Sequence, residues 1–152
     1  MAEFTNNPIQ TVQPNQQVLL NTTIGCPKGY VIHREGSGIV TLRGIVNNAC
    51  GCFARYQVTF NGNIALPEGA TLGPISVAVA IDGEPVQTSK AIVTPAAVDE
   101  YFNVTSTAII TVPRGCCFNI SVENTSESLT PATTPAPPIN VQNANMVVTR
   151  IA

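Results

Sequence analysis

Along the chain, apolar and polar residues alternate over short distances and then break at Gly, Pro, Asn or Asp, the pattern of strands that bury one face. The cleanest stretch is Arg55-Tyr56-Gln57-Val58-Thr59-Phe60, which places Tyr56, Val58 and Phe60 on one side and Arg55, Gln57 and Thr59 on the other. Asn61-Gly62-Asn63 behind it carries a turn or bulge signal before the chain continues through Ile64 and Leu66 to Pro67-Glu68-Gly69. Ile75 to Ile81 is the longest apolar stretch, with Ile75, Val77, Val79 and Ile81 facing one way and Ser76, Ala78 and Ala80 the other. Small residues on that second face would let another sheet or a second subunit come close. Tyr56, Val58, Phe60, Ser76, Ala78 and Ala80 are therefore the expected core or inter-subunit contacts. Asp82-Gly83 ahead of Glu84-Pro85-Val86 predicts a tight hairpin.

Shorter candidates surround these: Val18-Leu19-Leu20, Tyr30 to His33, and Gly38 to Gly44 before them, then Ala91 to Val93, Val104 to Val112, Phe118 to Val122, Ile139 to Val141 and Met146 to Ile151. Pro113-Arg114-Gly115 reads as a turn. Residues 1–17, polar and holding Pro8, Pro14 and four Gln, predict an extended N-terminal arm or short edge strand ahead of one domain spanning 18–152. Removing that arm is expected to leave the fold intact. The Pro-rich segment 130–138 predicts an extended loop, after which the chain returns to the same core. About ten short strands with no long helical pattern call for an all-β, antiparallel sandwich or barrel.

Composition supports this and adds a surface problem. Val and Ile number 31 against six Leu, with 17 Thr, a β-branched bias. Charged residues are only 11% of the chain, where an ordinary soluble domain carries about 25%. A surface made of Thr, Asn, Gln and Ser predicts cover by neighbouring copies. The net charge of −2 and seven scattered Lys and Arg give no basic stripe, so nucleic acid is not an expected partner. The polar start Ala2 to Asn7 lacks the features of a secretory leader, and the apolar runs are strand-sized, so no membrane partner is expected either. Sequons at Asn21, Asn103, Asn119 and Asn124 are what a chain rich in Asn, Thr and Ser produces by chance.

The order of these elements over residues 36–151 resembles the tumour necrosis factor and complement-type jelly roll. In that superfamily an aromatic strand like Ala54 to Phe60 leads to a long apolar strand ending in a tight turn, like Ile75 to Gly83. A later pair is joined by a turn like Pro113-Arg114-Gly115, and a final strand is placed like Met146 to Ile151. Gly29 to Gly38, Val93 to Val98 and Asn140 to Asn145 are similar to short jelly-roll proteins of Clostridia-type bacteria and their phages. The resemblance implies a TNF-like sandwich, a homotrimer, and a structural role on a virion as a capsid decoration or head fibre. The N-terminal arm would attach it to a capsid or other surface-layer protein. It also keeps open a bacterial cell or spore surface, and a glycan- or host-binding module using the loops 67–73, 82–85 and 130–138.

No set of residues announces catalysis, and no cofactor is expected. Cys26, Cys50, Cys52, Cys116 and Cys117 are the sharpest local feature. Buried thiols acting as small hydrophobes, and disulfides within or between subunits, are both compatible with them; the C-x-C and C-C spacings argue against zinc. His33, the single histidine, reads as a polar contact at a strand end. Asp99-Glu100, even with Asp82 and Glu84, lacks calcium-loop spacing, and Gly36-Ser37-Gly38 reads as a turn.

Overall fold

Alternating side chains sort twelve strands into two six-stranded sheets, all paired antiparallel, in a computed structural model that describes residues 1–25, 29–46, 50–128 and 135–152. Sheet A runs in the order β10 (Phe102–Pro113), β6 (Phe53–Ala65), β12 (Ile139–Arg150), β1 (Ala2–Asn6) and β3 (Thr22–Ile24), and β2 (Gln10–Val12) also pairs with β12. Sheet B runs β4 (Val31–His33), β5 (Val40–Arg43), β11 (Cys117–Asn124), β7 (Ile75–Ile81) and β8 (Glu84–Pro85), and β9 (Ala91–Val93) also pairs with β7. From β5 onward the chain crosses repeatedly between sheets, which is jelly-roll connectivity. The only helical piece among the described residues is a 3-10 turn, Gln87–Ser89.

The core lies between the sheets. Phe4, Tyr56, Val58, Phe60 and Met146 enter from sheet A, and Val40, Leu42, Ile75, Val77 and Ile120 from sheet B. Burying each of the larger side chains stabilises the fold by roughly 1.5–3 kcal/mol. No buried side-chain polar atom among the described residues lacks a hydrogen-bond partner.

Several elements differ from their sequence expectation. Asn61-Gly62-Asn63 does not turn: β6 runs straight through it. Gly62 faces inward, where a Cβ would sit 2.9 Å from the Phe60 ring, and the irregularity lies instead on β12 between Gln142 and Asn145, with Asn143 at φ 55°. The glycine serves close packing rather than a bend. Ile139 to Val141 and Met146 to Arg150 thus belong to one strand, which ends one residue before the expected Ile151. Val18 to Leu20 is not a strand; isolated bridges join Gln17 to Glu123 and Leu20 to Ser37.

Residues 1–17 are extended but laid into the sandwich. β1 sits between β12 and β3, with Phe4 fully buried, and β2 pairs with Ile139 to Val141. Removing them would take out a central strand and a core aromatic, so the expectation that this segment is dispensable to the fold is corrected. Of the Pro-rich segment, residues 130–134 lie outside the described residues, and 135–138 are irregular. The Asp82-Gly83 hairpin forms as expected, with φ of 50° and 84°, the two positive values of a type I′ turn.

Candidate interaction surface

The outward positions of sheet A form continuous rungs, because antiparallel register sets like-facing residues side by side. One rung reads Thr107, Thr59, Val147, Glu3, Ile24 across β10, β6, β12, β1 and β3. Its neighbours read Thr105, Asn61, Asn145, Thr5, Thr22 on one side and Ile109, Gln57, Thr149 on the other. Thr59 and Thr107 hydroxyls meet at 3.0 Å, and the Asn103 amide donates to Asn63 at 3.2 Å.

Electrostatically these rungs are quiet. Glu3 is their one charged side chain, with Arg55 one rung further along beside Thr111, and each is engaged: the Asn145 amide donates to the Glu3 carboxylate, and the Arg55 guanidinium lies 4.6 Å from the Phe53 ring centroid. Large apolar groups stand among the amides and hydroxyls, with Ile109 65%, Ile24 51% and Phe53 41% exposed. From strand spacing and rise, the face is about 19 Å across its five strands and narrows from about 40 Å along β6 to about 10 Å along β3.

The residues expected as contacts divide between two places. Tyr56, Val58 and Phe60 point into the core with no exposed area. Ser76, Ala78 and Ala80 face outward on sheet B, also buried, beside Thr125, Glu123 and Ser121 respectively. The structure does not bring the two groups together. The Tyr56 hydroxyl donates to the Arg43 carbonyl at 2.6 Å, and burial pushes its phenol above the ordinary value of 10.0, with Arg150 pulling the other way. Burial likewise raises the Glu123 carboxyl above 4.5, opposed by a hydrogen bond from Ser121.

The other candidate chemistries are absorbed by the fold. His33 bridges the Thr23 hydroxyl and the Ser37 carbonyl at 3.0 Å each, and its ring packs 4.6 Å from Phe4. The Glu100 carboxylate accepts from the Ala96 and Ala97 amides, and that of Asp82 from the Asn119 amide. No cluster of three His, Cys, Asp or Glu suited to a metal occurs among the described residues. None of the helical residues described forms a span long and apolar enough to cross a membrane. Loops 69–74 and 135–138 line a small cleft of about 190 Å³ with Gly, Ala and Pro, whereas the 82–85 hairpin lies at the opposite end of β7. Cys50, Cys52, Cys116 and Cys117 are all exposed, which corrects the buried-thiol reading for those four; Cys26 lies outside the described residues.

The sequence pattern had contained the face that was overlooked. Arg55, Gln57 and Thr59 were legible as the second side of β6; their partners Thr107, Ile109 and Thr111 were not, because pairing between strands so far apart in sequence leaves no local signal.

No protein-family model matches the chain, and no curated protein does. Among solved structures, Eiger TNF from S. frugiperda is similar at 10% identity and a TM-score of 0.63, covering 100% of this chain and 92% of its own. The globular domain of zebrafish complement 1qA protein is similar at 14% identity and a TM-score of 0.55, covering 96% and 94%. Murine APRIL is similar at 11% identity and a TM-score of 0.50, covering 93% and 98%. These likenesses show the fold: an all-β jelly-roll sandwich of the TNF and complement 1q type.

Proposed function

We propose that this chain is a structural module that assembles as a homotrimer through the outer face of sheet A and is displayed on a bacteriophage particle as a capsid decoration or head fibre. The observation that carries the self-association is the charge-quiet face itself, where Ile109, Phe53 and Ile24 stand exposed among Thr, Asn and Gln. Such a face has little electrostatic cost of burial, and its hydroxyls and amides already have cross-strand partners to keep. The low overall charge, 11% of residues, fits a chain whose surface is partly covered in its working state. The virion placement rests on the likeness of Gly29 to Gly38, Val93 to Val98 and Asn140 to Asn145 to phage-associated jelly rolls. Attachment would use exposed parts of the N-terminal segment, Asn7 to Ile9 and Gln13 to Gln16, since β1 and β2 are committed to the sheet.

A glycan-binding role has less support. Among the described residues lining the cleft beside Gly69 and Pro135 there is no aromatic ring on which a sugar could stack. Light scattering on the purified chain at micromolar concentration tests the assembly: three times the monomer mass is expected, and a strict monomer overturns it. Immunogold labelling of particles tests the placement, with label on phage heads expected; label confined to bacterial cell or spore surfaces overturns it.

A further inference from the structure

The exposed cysteines converge on one end of the sandwich. Cys52 precedes β6, and its carbonyl accepts from the Arg114 amide at 2.9 Å; Cys116 closes the turn after β10, accepting from the Gly44 amide at 2.8 Å. Gly44 receives this turn so closely that a Cβ there would lie 2.0 Å from the Pro113 oxygen. The segments around Gly44 and Cys52 are thus held with the distant 113–116 turn at one end, with Cys52, Cys116 and Cys117 in solvent and Cys50 beside Cys52.

Neither pair that is close in sequence, Cys50 with Cys52 or Cys116 with Cys117, is well arranged to bridge. Cys116 and Cys117 are adjacent across a trans peptide, about 3.8 Å between Cα atoms, below the ~4.4 Å that a relaxed disulfide spans. The Cys52 thiol points back toward the Cys50 carbonyl at 3.9 Å. None of Cys52, Cys116 and Cys117 is in a disulfide.

We infer that this end is a redox cross-linking site that joins copies of the chain through disulfides made by Cys52, Cys116 and Cys117. The occupant is a second copy, because copies packed side by side through sheet A carry this end at a common level; to that extent the inference rests on the self-association proposed above. A low-molecular-weight disulfide is the oxidant. A thiolate of one copy attacks it, forming a mixed disulfide and releasing one small thiol. A thiolate of the next copy then attacks the protein sulfur, forming the Sγ–Sγ bond between copies and releasing the second small thiol. Two protein thiols are oxidised and one small disulfide is reduced, with two protons passing to the leaving thiolates.

The test uses the full chain, reduced, desalted and then treated with glutathione disulfide. Non-reducing gels should show dimer and trimer bands that collapse with dithiothreitol, to an extent independent of protein concentration. Mass spectrometry of the unreduced digest should find Cys52, Cys116 or Cys117 peptides joined between chains. The variant Cys52→Ser, Cys116→Ser, Cys117→Ser should lose these bands while keeping its mass by light scattering. Bridges only within one chain, glutathione adducts alone, bands that scale with concentration, or bands surviving in the triple variant overturn the site. Light scattering under reducing conditions reads the self-association separately: an intact oligomer without cross-linked bands overturns only the cross-link, and a reduced monomer overturns the assembly.

Discussion

On sheet A the outward rungs join Thr107, Thr59, Val147 and Glu3 across four strands, whereas on sheet B the corresponding direction sets Ala78 against Glu123 and Ala80 against Ser121. Sheet A exposes what it carries; sheet B hides its small residues, with Ala78 and Ala80 at 0% exposure although they face away from the core. Charge does not separate the two: the strands of sheet A carry Glu3, Arg55 and Arg150, and those of sheet B carry Arg43, Glu84 and Glu123. The two faces share one core, so the difference is not required by folding. In the proposed assembly sheet A is the face that other copies cover and sheet B the face left to solvent.

The sharpest way to break this contrast is a matched pair of charges. Ile109 on sheet A and Ile32 on sheet B are both exposed large apolar residues, at 65% and 51%. Ile109→Asp should dissociate the assembly, since an unpaired buried charge costs about 3–5 kcal/mol; Ile32→Asp should leave the mass unchanged. Light scattering on both variants decides, and equal behaviour would erase the distinction. A smaller effect comes from enlarging the hidden side: Ala78→Leu should lower stability by about 1–3 kcal/mol through overpacking, without changing the oligomer. A denaturant melt paired with a mass measurement reads both quantities.

Between the faces, Tyr56→Phe removes the donor to the Arg43 carbonyl and should cost about 1 kcal/mol in the same melt, again with mass unchanged. Because burial holds this phenol above 10.0, the folded state keeps a proton that the unfolded chain releases. Wild-type stability should therefore fall as pH rises above 10, and the fall should be shallower in the Phe variant. The smallest effect is expected at Glu123, whose raised carboxyl means that the ionised form is disfavoured in the folded state. Glu123→Gln should raise stability slightly at neutral pH, and the advantage should shrink as pH falls through the range where the wild-type carboxyl takes up its proton.

Much of the fold was legible where alternation was strict. Ile75 to Ile81 forms its strand with those bounds, and Asp82-Gly83 makes the hairpin its residue types favour. Legibility failed where a residue's conformation answers to a distant neighbour. Gly62 looked like a bend but is small because Phe60 lies over it, and the compensating bulge sits near Asn143, about eighty positions away. β1 and β3, five and three residues long, are too short to read as strands alone; β12 supplies a template for β1, and β1 for β3. The candidate surface failed to show for the same reason: each strand displayed its own outward residues, but only register makes them rungs.

The position of β12 has a consequence for how the chain is made. It follows the other eleven strands along the chain, yet it lies between β6 and β1, so the β10–β6 and β1–β3 pairs of sheet A stay unjoined until residues 139–150 arrive. A nascent chain must hold β1 and β6 with open edges through most of translation, and its decisive pairing spans nearly the whole length between Ala2 and Val148. Folding of this kind is slow and of high contact order, and any product cut short before β12 would emerge with two bare strand edges and be prone to aggregate.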